Sequence, residues 1–201
     1  MTSIGKRIAE TMDKMEARDA EGALFQICAP IESTAVREYG MSGGKTYREF
    51  LHDNLGLITR VGLGVPILNY NIGKFTHPDI KPDAQGFCSV QQILYHAVRC
   101  GLYHEAKLPA NLRFEFGGRQ FNDNGTLIVP AELIYGLIAV VILSPANVGE
   151  QIEDRYGFLI GESTPLRANK MWGKRTEFLW LLDALIPRPP APPPSQPVPA
   201  P

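Results

Sequence analysis

The longest apolar run in the chain, Leu133 to Leu143, constrains the fold most strongly. This run is too short to span a bilayer, so it predicts a buried core helix and not a membrane segment. Pro130 is well placed to start the helix, because proline is tolerated in the first helical turn. Ser144-Pro145 then ends it. We therefore expect a globular chain with this helix in its core and no membrane partner.

The overall composition bounds the size and class of the protein. At 201 residues the chain is long enough for one domain with a sizeable core and too short for two ordinary domains. Its hydrophobic content of 44% and charged content of 20% are typical of globular proteins. The net charge of −1 provides no global attraction to nucleic acid, so polyanion binding requires a local cluster of cations.

The three cysteines, Cys28, Cys88 and Cys100, show neither metal-ligand nor redox-motif spacing. Their odd number indicates reduced thiols, because disulfide-bonded domains use cysteines in pairs. The N-terminal residues contain no apolar segment of the kind found in signal peptides. Together these features predict a cytoplasmic protein.

The first forty residues carry two apolar stripes at helical spacing. The first comprises Ile4, Ile8, Met12 and Met15, and the second comprises Leu24, Ile27, Cys28, Ile31 and Ala35. Pro30 lies inside the second stripe, so that helix is expected to kink or restart there. Gly40 ends the pattern.

Two segments with capping-box spacing predict further helix starts. Thr46 to Glu49 precedes a short helix that is expected to end at Gly56, and residues 60–87 are expected to form a long ordered loop. Ser89 to Gln92 opens a helix over residues 90–103. A last helix is marked by Phe178, Leu181, Leu182 and Leu185.

Three short alternating runs after the 90–103 helix predict a small β hairpin or meander. They are Leu112 to Phe116, Arg119 to Phe121 and Thr126 to Val129, and Asn124-Gly125 is a strong hairpin-turn signal between the last two. The domain is expected to span residues 1–186. Residues 187–201 are nearly all Pro and Ala and predict a disordered tail.

The helix over residues 90–103 is predicted to have two faces. At 100° per residue, the apolar residues Val90, Ile93, Leu94, Ala97, Val98 and Gly101 lie on one side and form a core face. Gln92, His96, Arg99 and Tyr103 lie on the other side, toward solvent or a second surface. His104 would lie about 140° from Arg99 on a regular α-helix, so the two side chains meet only if the helix loosens. The plainest interpretation is a surface arginine and a histidine near the helix C-terminus.

The stretch from Tyr95 to Glu105, YHAVRCGLYHE, resembles the motif region of HEPN domains. These are small helical domains whose R-x4-6-H signature lies late in a long helix. The resemblance covers roughly residues 1–160 and implies a mainly α, HEPN-like helical bundle with the small β element inserted after the motif helix. Cys100 follows the arginine, where many active HEPN ribonucleases have Asn, Asp or His, and a thiol is a poor hydrogen-bond partner.

This resemblance implies a metal-independent endoribonuclease of the defence or toxin kind, working as a homodimer without a cofactor. Arg99 and His104 of both chains would be the catalytic residues. His104 would exchange a proton with the RNA 2′-hydroxyl or the leaving 5′-oxygen, and Arg99 would hold the phosphate. A toxin would also have a cognate antitoxin or another protein partner.

Three neighbours of the motif are candidate substrate-binding residues. Tyr103 and His96 share the predicted face of Arg99, where they would stack on a base, although packing in a dimer is an equal interpretation. Glu105 would orient His104. The alternative function is a non-catalytic HEPN-like module that binds RNA or a protein partner. A zinc site is a further alternative, because His96, Cys100 and His104 recur every four residues.

Overall fold

Helices make up most of the described chain, which confirms the predicted mainly α fold. The computed structural model describes residues 3–73, 75–117, 121–160 and 164–185. Within these ranges lie seven helices: α1 (Ser3–Glu16), α2 (Ala20–Tyr39), α3 (Gly44–Asp53), α4 (Leu55–Leu63), α5 (90–105), α6 (Leu133–Leu143) and α7 (Arg175–Leu185). The tail predicted over residues 187–201 lies outside the described residues.

The predicted core helix is α6, and it is buried on nearly every side. Ten of its eleven residues are buried, with Tyr135 the exception. Gly136 allows α6 to approach α4 closely, because a Cβ at this position would collide with the carbonyl oxygen of Ile58. On α4, a Cβ at Gly62 would lie 2.7 Å from the Cα of Leu133. Each fully buried leucine or isoleucine contributes about 1.5–3 kcal/mol, so α6 is a major source of stability.

The predicted stripes of α1 and α2 pack against each other and join the core. Asp19 caps α2 by accepting a hydrogen bond from the backbone N–H of Gly22 at 2.8 Å. The helix then continues through Pro30 to Tyr39 without a break. Gly40 closes it in the left-handed conformation at φ 74°.

The region of α3 and α4 differs from the sequence prediction. Gly43 occupies the N-cap position of α3 and provides no side-chain hydrogen bond, so the capping box predicted at Thr46 is wrong. The predicted helix end at Gly56 is also wrong, because Gly56 lies inside α4, which continues to Leu63. Burial of Leu57 and Ile58 against the core outweighs the low helix propensity of glycine.

A small sheet follows α5, as predicted, with strands β3 (Leu112–Glu115), β4 (Phe121–Asp123) and β5 (Thr126–Pro130). The hairpin turn at Asn124-Gly125 is present, with φ of 48° and 85°. However, β3 pairs with β5 in parallel, so the strand order is β3-β5-β4 and a simple meander is excluded. β5 is the most apolar strand. It lies at the centre of the sheet, so a neighbouring strand covers each of its two edges.

Two further strand pairs and two short 3-10 helices, Pro145–Asn147 and Ala168–Lys170, lie outside this sheet. β1 (Asn71–Gly73) and β2 (Phe87–Ser89) pair in antiparallel fashion and organise the segment that the sequence predicted as a loop. The backbone N–H of Val90 donates to the carbonyl of Tyr70 at 2.9 Å, which holds β1 beside the start of α5. β6 (Gly157–Ile160) pairs with β7 (Thr164–Arg167). Among the residues described, no helix has both the length and the apolar character needed to cross a membrane.

Candidate functional site

The helix that carries the predicted motif, α5, begins with a regular cap and then widens. The Ser89 hydroxyl accepts a hydrogen bond from the Gln92 N–H, and the Gln92 side chain accepts one from the Ser89 N–H, so the predicted capping box is confirmed. After the α-helical turn Val90–Gln92, the chain continues as a π-helix, Ile93–Glu105. Each N–H then bonds a carbonyl five residues back, and each residue turns about 82° around the axis.

The wider turn changes the direction of Arg99. Residues four apart on a π-helix are offset by only about 30°, which aligns Tyr95, Arg99 and Tyr103. The Arg99 guanidinium lies 5.8 Å from the ring centre of Tyr95 and 5.4 Å from that of Tyr103. Of the two orientations expected for Arg99, toward solvent or toward a second surface, the first is excluded, because the side chain is only 20% exposed and reaches α2 of the same chain.

Arg99 forms an ion pair with Glu32 of α2. Its Nη2 donates to Glu32 Oε2 at 2.8 Å, while its Nε is buried and has no hydrogen-bond partner among the described residues. Burial lowers the pKa of Arg99, but the hydrogen bond and the negative charge of Glu32 outweigh that effect, so the pKa is raised overall. Arg99 therefore remains charged, and its charge is neutralised within the chain.

A buried polar layer lies close to this ion pair. Burial raises the pKa of the Cys28 thiol to about 12, and the same cause raises the pKa of Tyr47 well above its ordinary value. A thiol acts as a nucleophile only when it is deprotonated. Cys28 and Tyr47 are therefore neutral groups that contribute to packing in α2 and α3.

The C-terminal end of α5 is exposed. Tyr103 stacks on Phe25 of α2 with ring centres 5.3 Å apart, and the two residues remain 42% and 40% exposed. His104 and Glu105 are exposed, and neither side chain has a hydrogen bond or an ion pair to any residue within the described ranges. The structure thus brings Arg99 and Tyr103 together, whereas among the described residues no side-chain hydrogen bond or ion pair joins His104 to Arg99 or to Glu105.

His96 lies on another side of α5, beside α3. Its Nε2 is 3.5 Å from Nη1 of Arg48, and its ring meets the Tyr95 ring edge-on at 4.8 Å. Burial lowers the pKa of His96, and the positive charge of Arg48 lowers it further, although Asp79 opposes them. His96 is therefore neutral at neutral pH.

A polar groove opens next to His96, between α3, β1 and the start of α5. It has a volume of about 430 Å³. We refer to it as the α3 groove, and its lining consists of Lys45, Arg48, Glu49, His52, Asn69, Tyr70, Asn71, Ser89, Gln91 and Gln92. Six of its ten lining residues carry a cationic or an amide side chain, and these groups would suit a ligand with anionic and hydrogen-bonding atoms.

The charges of the α3 groove are arranged along one face of α3. Lys45 forms an exposed ion pair with Glu49 at 3.6 Å, and exposed pairs of this kind are weak. Arg48 lies over the Tyr95 ring at 5.0 Å, so an aromatic face supports its guanidinium. The groove therefore has two cations against one carboxylate.

Tyr95 connects the α3 groove with the motif. Its ring contacts the guanidinium of Arg48 at 5.0 Å and that of Arg99 at 5.8 Å. A ligand that occupies the groove and extends along α5 would therefore pass from Arg48 toward Arg99.

Comparison with known proteins shows where this chain belongs. Residues 3–185 match the Rv1289 family. The chain is a member of the Rv1289 family. It is similar to the uncharacterized protein Rv1289 of Mycobacterium tuberculosis and to the uncharacterized protein Mb1320 of Mycobacterium bovis. Each is 24% identical over 162 residues, which cover 77% of this chain and 76% of the relative. No solved structure matches the chain.

The Rv1289 family match does not test the resemblance to HEPN domains, which stays a prediction. The zinc alternative has no geometric support in this Rv1289-family chain. Over the described part of the chain, no group of three or more His, Cys, Asp or Glu side chains is arranged to hold a metal ion.

One sequence pattern of this Rv1289-family member indicates the α3 groove, although the sequence analysis did not predict a groove there. Lys45, Arg48 and His52 recur at intervals of three and four, which places them on one face of a helix. Asn69 and Asn71 belong to the segment expected to be a loop, and the pairing of Asn71 with Ser89 of β2 brings this segment to the groove.

Proposed function

We propose that this protein binds single-stranded RNA through the α3 groove without cleaving it. The observation that supports the proposal is the combination of two cations, Lys45 and Arg48, with amide side chains in one concave surface. Because the net charge of the chain is −1, attraction to a polyanion depends on such a local cluster.

Arg48 is suited to the main phosphate contact. A guanidinium presents a planar set of donors that matches phosphate oxygens, and the Tyr95 ring limits the orientations that this side chain adopts. Lys45 adds a mobile positive charge at the rim of the groove. The exposed ring of Tyr103, beyond Arg99, supplies a surface on which a base would stack.

The geometry around Arg99 favours binding over cleavage. A substrate phosphate would have to displace Glu32, which accepts from Arg99 at 2.8 Å. No described side chain orients the ring of His104 toward that position. A proton-transfer group requires hydrogen-bond reach and a defined orientation.

The test is fluorescence anisotropy with a labelled single-stranded RNA in EDTA, over a series of salt concentrations. Arg48→Ala and Lys45→Ala should each weaken binding by about tenfold and reduce the salt slope by about one unit. Lys6→Ala is the matched control, because Lys6 also forms an exposed pair with a glutamate four residues later, Glu10, at 3.9 Å. Equal effects of the Lys45 and Lys6 variants would refute the assignment of the groove.

The second candidate is the metal-independent endoribonuclease, with Arg99 and His104 from two chains at a composite site. Two observations favour it. A π-helical turn reduces the expected angle between Arg99 and His104 to about 50°. The shared contact with Tyr95 also places Arg99 next to the groove. In this mechanism the 2′-hydroxyl attacks the phosphate and the bond from phosphorus to the 5′-oxygen breaks, which leaves a 2′,3′-cyclic phosphate. One His104 takes the proton of the 2′-hydroxyl, the His104 of the second chain protonates the leaving 5′-oxygen, and Arg99 holds the phosphate oxygens.

The same preparation decides between the two candidates. RNA cleavage that persists in EDTA and is lost in both Arg99→Ala and His104→Ala would establish the endoribonuclease. Binding with intact RNA after prolonged incubation is the result expected for the binding function.

A further inference from the structure

One polar atom in the wall of the α3 groove lacks a partner. Gln91 lines the groove and is only 7% exposed, and its side-chain Oε1 is buried without a hydrogen bond to any described residue. Its Nε2 lies 3.2 Å from Nδ1 of His52, which lines the same groove. A buried acceptor without a donor costs free energy, so native proteins rarely retain one without a reason.

The fold explains why Gln91 differs from its neighbour Gln92. Gln92 completes the capping box with Ser89, so its side-chain oxygen is occupied. Gln91 has no such role and is directed to His52 on α3. Gln91 thus lines the groove with an unpaired oxygen just beneath its surface, and that oxygen takes no part in the helix cap.

The groove specifies the chemistry that would satisfy Gln91. Lys45 and Arg48 require an anion, whereas the Gln91 oxygen requires a donor. A ribose next to a phosphate offers both within one nucleotide, because its 2′-hydroxyl donates and accepts. The terminal amide torsion of glutamine has two broad minima, and a hydroxyl pairs with either amide atom that is turned toward it.

We infer that Gln91 recognises the ribose 2′-hydroxyl and makes the α3 groove selective for RNA over DNA. This inference rests on the proposed function, because the phosphate contacts of Arg48 and Lys45 bring the ribose into the groove. His52 is a positioning residue, since it holds the Gln91 amide through the 3.2 Å contact.

The test compares labelled short oligouridylate with oligodeoxyuridylate of equal length, which differ only in the 2′-hydroxyl. The wild-type chain should bind the ribo-oligomer about three- to tenfold more tightly, the effect of one net hydrogen bond. Gln91→Met retains the approximate shape of the side chain but removes its amide, so it should abolish that preference and bind the two oligomers with equal affinity. Gln151→Met, at an exposed loop position, should retain the preference.

A second variant distinguishes loss of ribose recognition from loss of folding. Gln91→Glu retains acceptor oxygens and adds a negative charge, so it should weaken the binding of both oligomers while retaining the preference for the ribo-oligomer. Thermal melting of each variant establishes that it is folded before binding is compared.

Failure of the inference about Gln91 and failure of the proposed RNA binding would give different experimental results. Equal binding of the two oligomers by the wild-type chain, with loss of both in Arg48→Ala, would overturn the role of Gln91 and leave RNA binding in place. A preference that survives in a folded Gln91→Met variant would overturn it as well. Absence of binding to either oligomer would refute the proposed function, and the inference with it.

Discussion

Arg99 and Glu32, which are 67 positions apart in sequence, form a 2.8 Å ion pair that joins α5 to α2. The carboxylate neutralises a guanidinium that is mostly buried between Tyr95 and Tyr103. Replacement of one partner leaves the other charge partly desolvated, and this cost exceeds the direct attraction that is lost.

Glu32→Gln should therefore lower the free energy of unfolding by about 1–2 kcal/mol, a value between those of exposed and fully buried pairs. Urea denaturation of Glu32→Gln, Arg99→Gln and the double variant measures the coupling between the two residues. We expect the double variant to be less destabilised than the sum of the single variants by about 1 kcal/mol. Strict additivity would show that the pair contributes nothing to stability. If the second candidate function holds, Glu32→Gln should also increase RNA cleavage, since it releases Arg99.

The close approach of α4 and α6 predicts a strong effect at Gly136. A Cβ at this position would collide with the carbonyl of Ile58, so Gly136→Ala should destabilise the fold by about 1–3 kcal/mol. Gly149→Ala is the control, because a Cβ there meets no atom within 4 Å. Chemical denaturation compares the two variants, and equal unfolding midpoints would contradict the predicted packing.

His96 should make the stability depend on pH. Its pKa is lowered from 6.5 in the folded chain by burial and by Arg48, so the unfolded chain binds the proton more readily. Stability is therefore highest above pH 6.5 and falls as the pH decreases toward the lowered folded pKa. His96→Gln should lose part of this decrease, which urea denaturation at about pH 7.5 and about pH 5.5 measures in both chains. An equal decrease in the two chains would exclude a contribution from His96.

The three thiols should differ in reactivity. Burial raises the pKa of Cys28 to about 12 and also raises that of Cys88, whereas Cys100 is partly exposed. A maleimide reagent at neutral pH should therefore label one thiol of the native chain rapidly, and Cys100→Ser should abolish that labelling. Mass spectrometry of the labelled peptides identifies the site. Rapid labelling of Cys28 would show that α2 opens from the core.

The candidate site was only partly predictable from the sequence. The capping box at Ser89 was identified correctly, because the spacing of Ser89 and Gln92 is a local signal. The orientation of Arg99 was not predicted fully. The prediction assumed the α-helical turn of about 100° per residue, whereas the helix is π-helical from Ile93 onward. The α3 groove was missed because its residues come from three segments that meet only after packing.

The sequence by itself determined the features that depend on composition or on neighbouring residues. These are the burial of α6, the stripes of α1 and α2, and the Asn124-Gly125 turn. Only the tertiary structure decided that Arg99 pairs with Glu32, that β3 runs parallel to β5, and that Gln91 retains an unpaired oxygen in the groove. Local patterns act within one or two helical turns, whereas partners distant in sequence are selected by how the whole core packs.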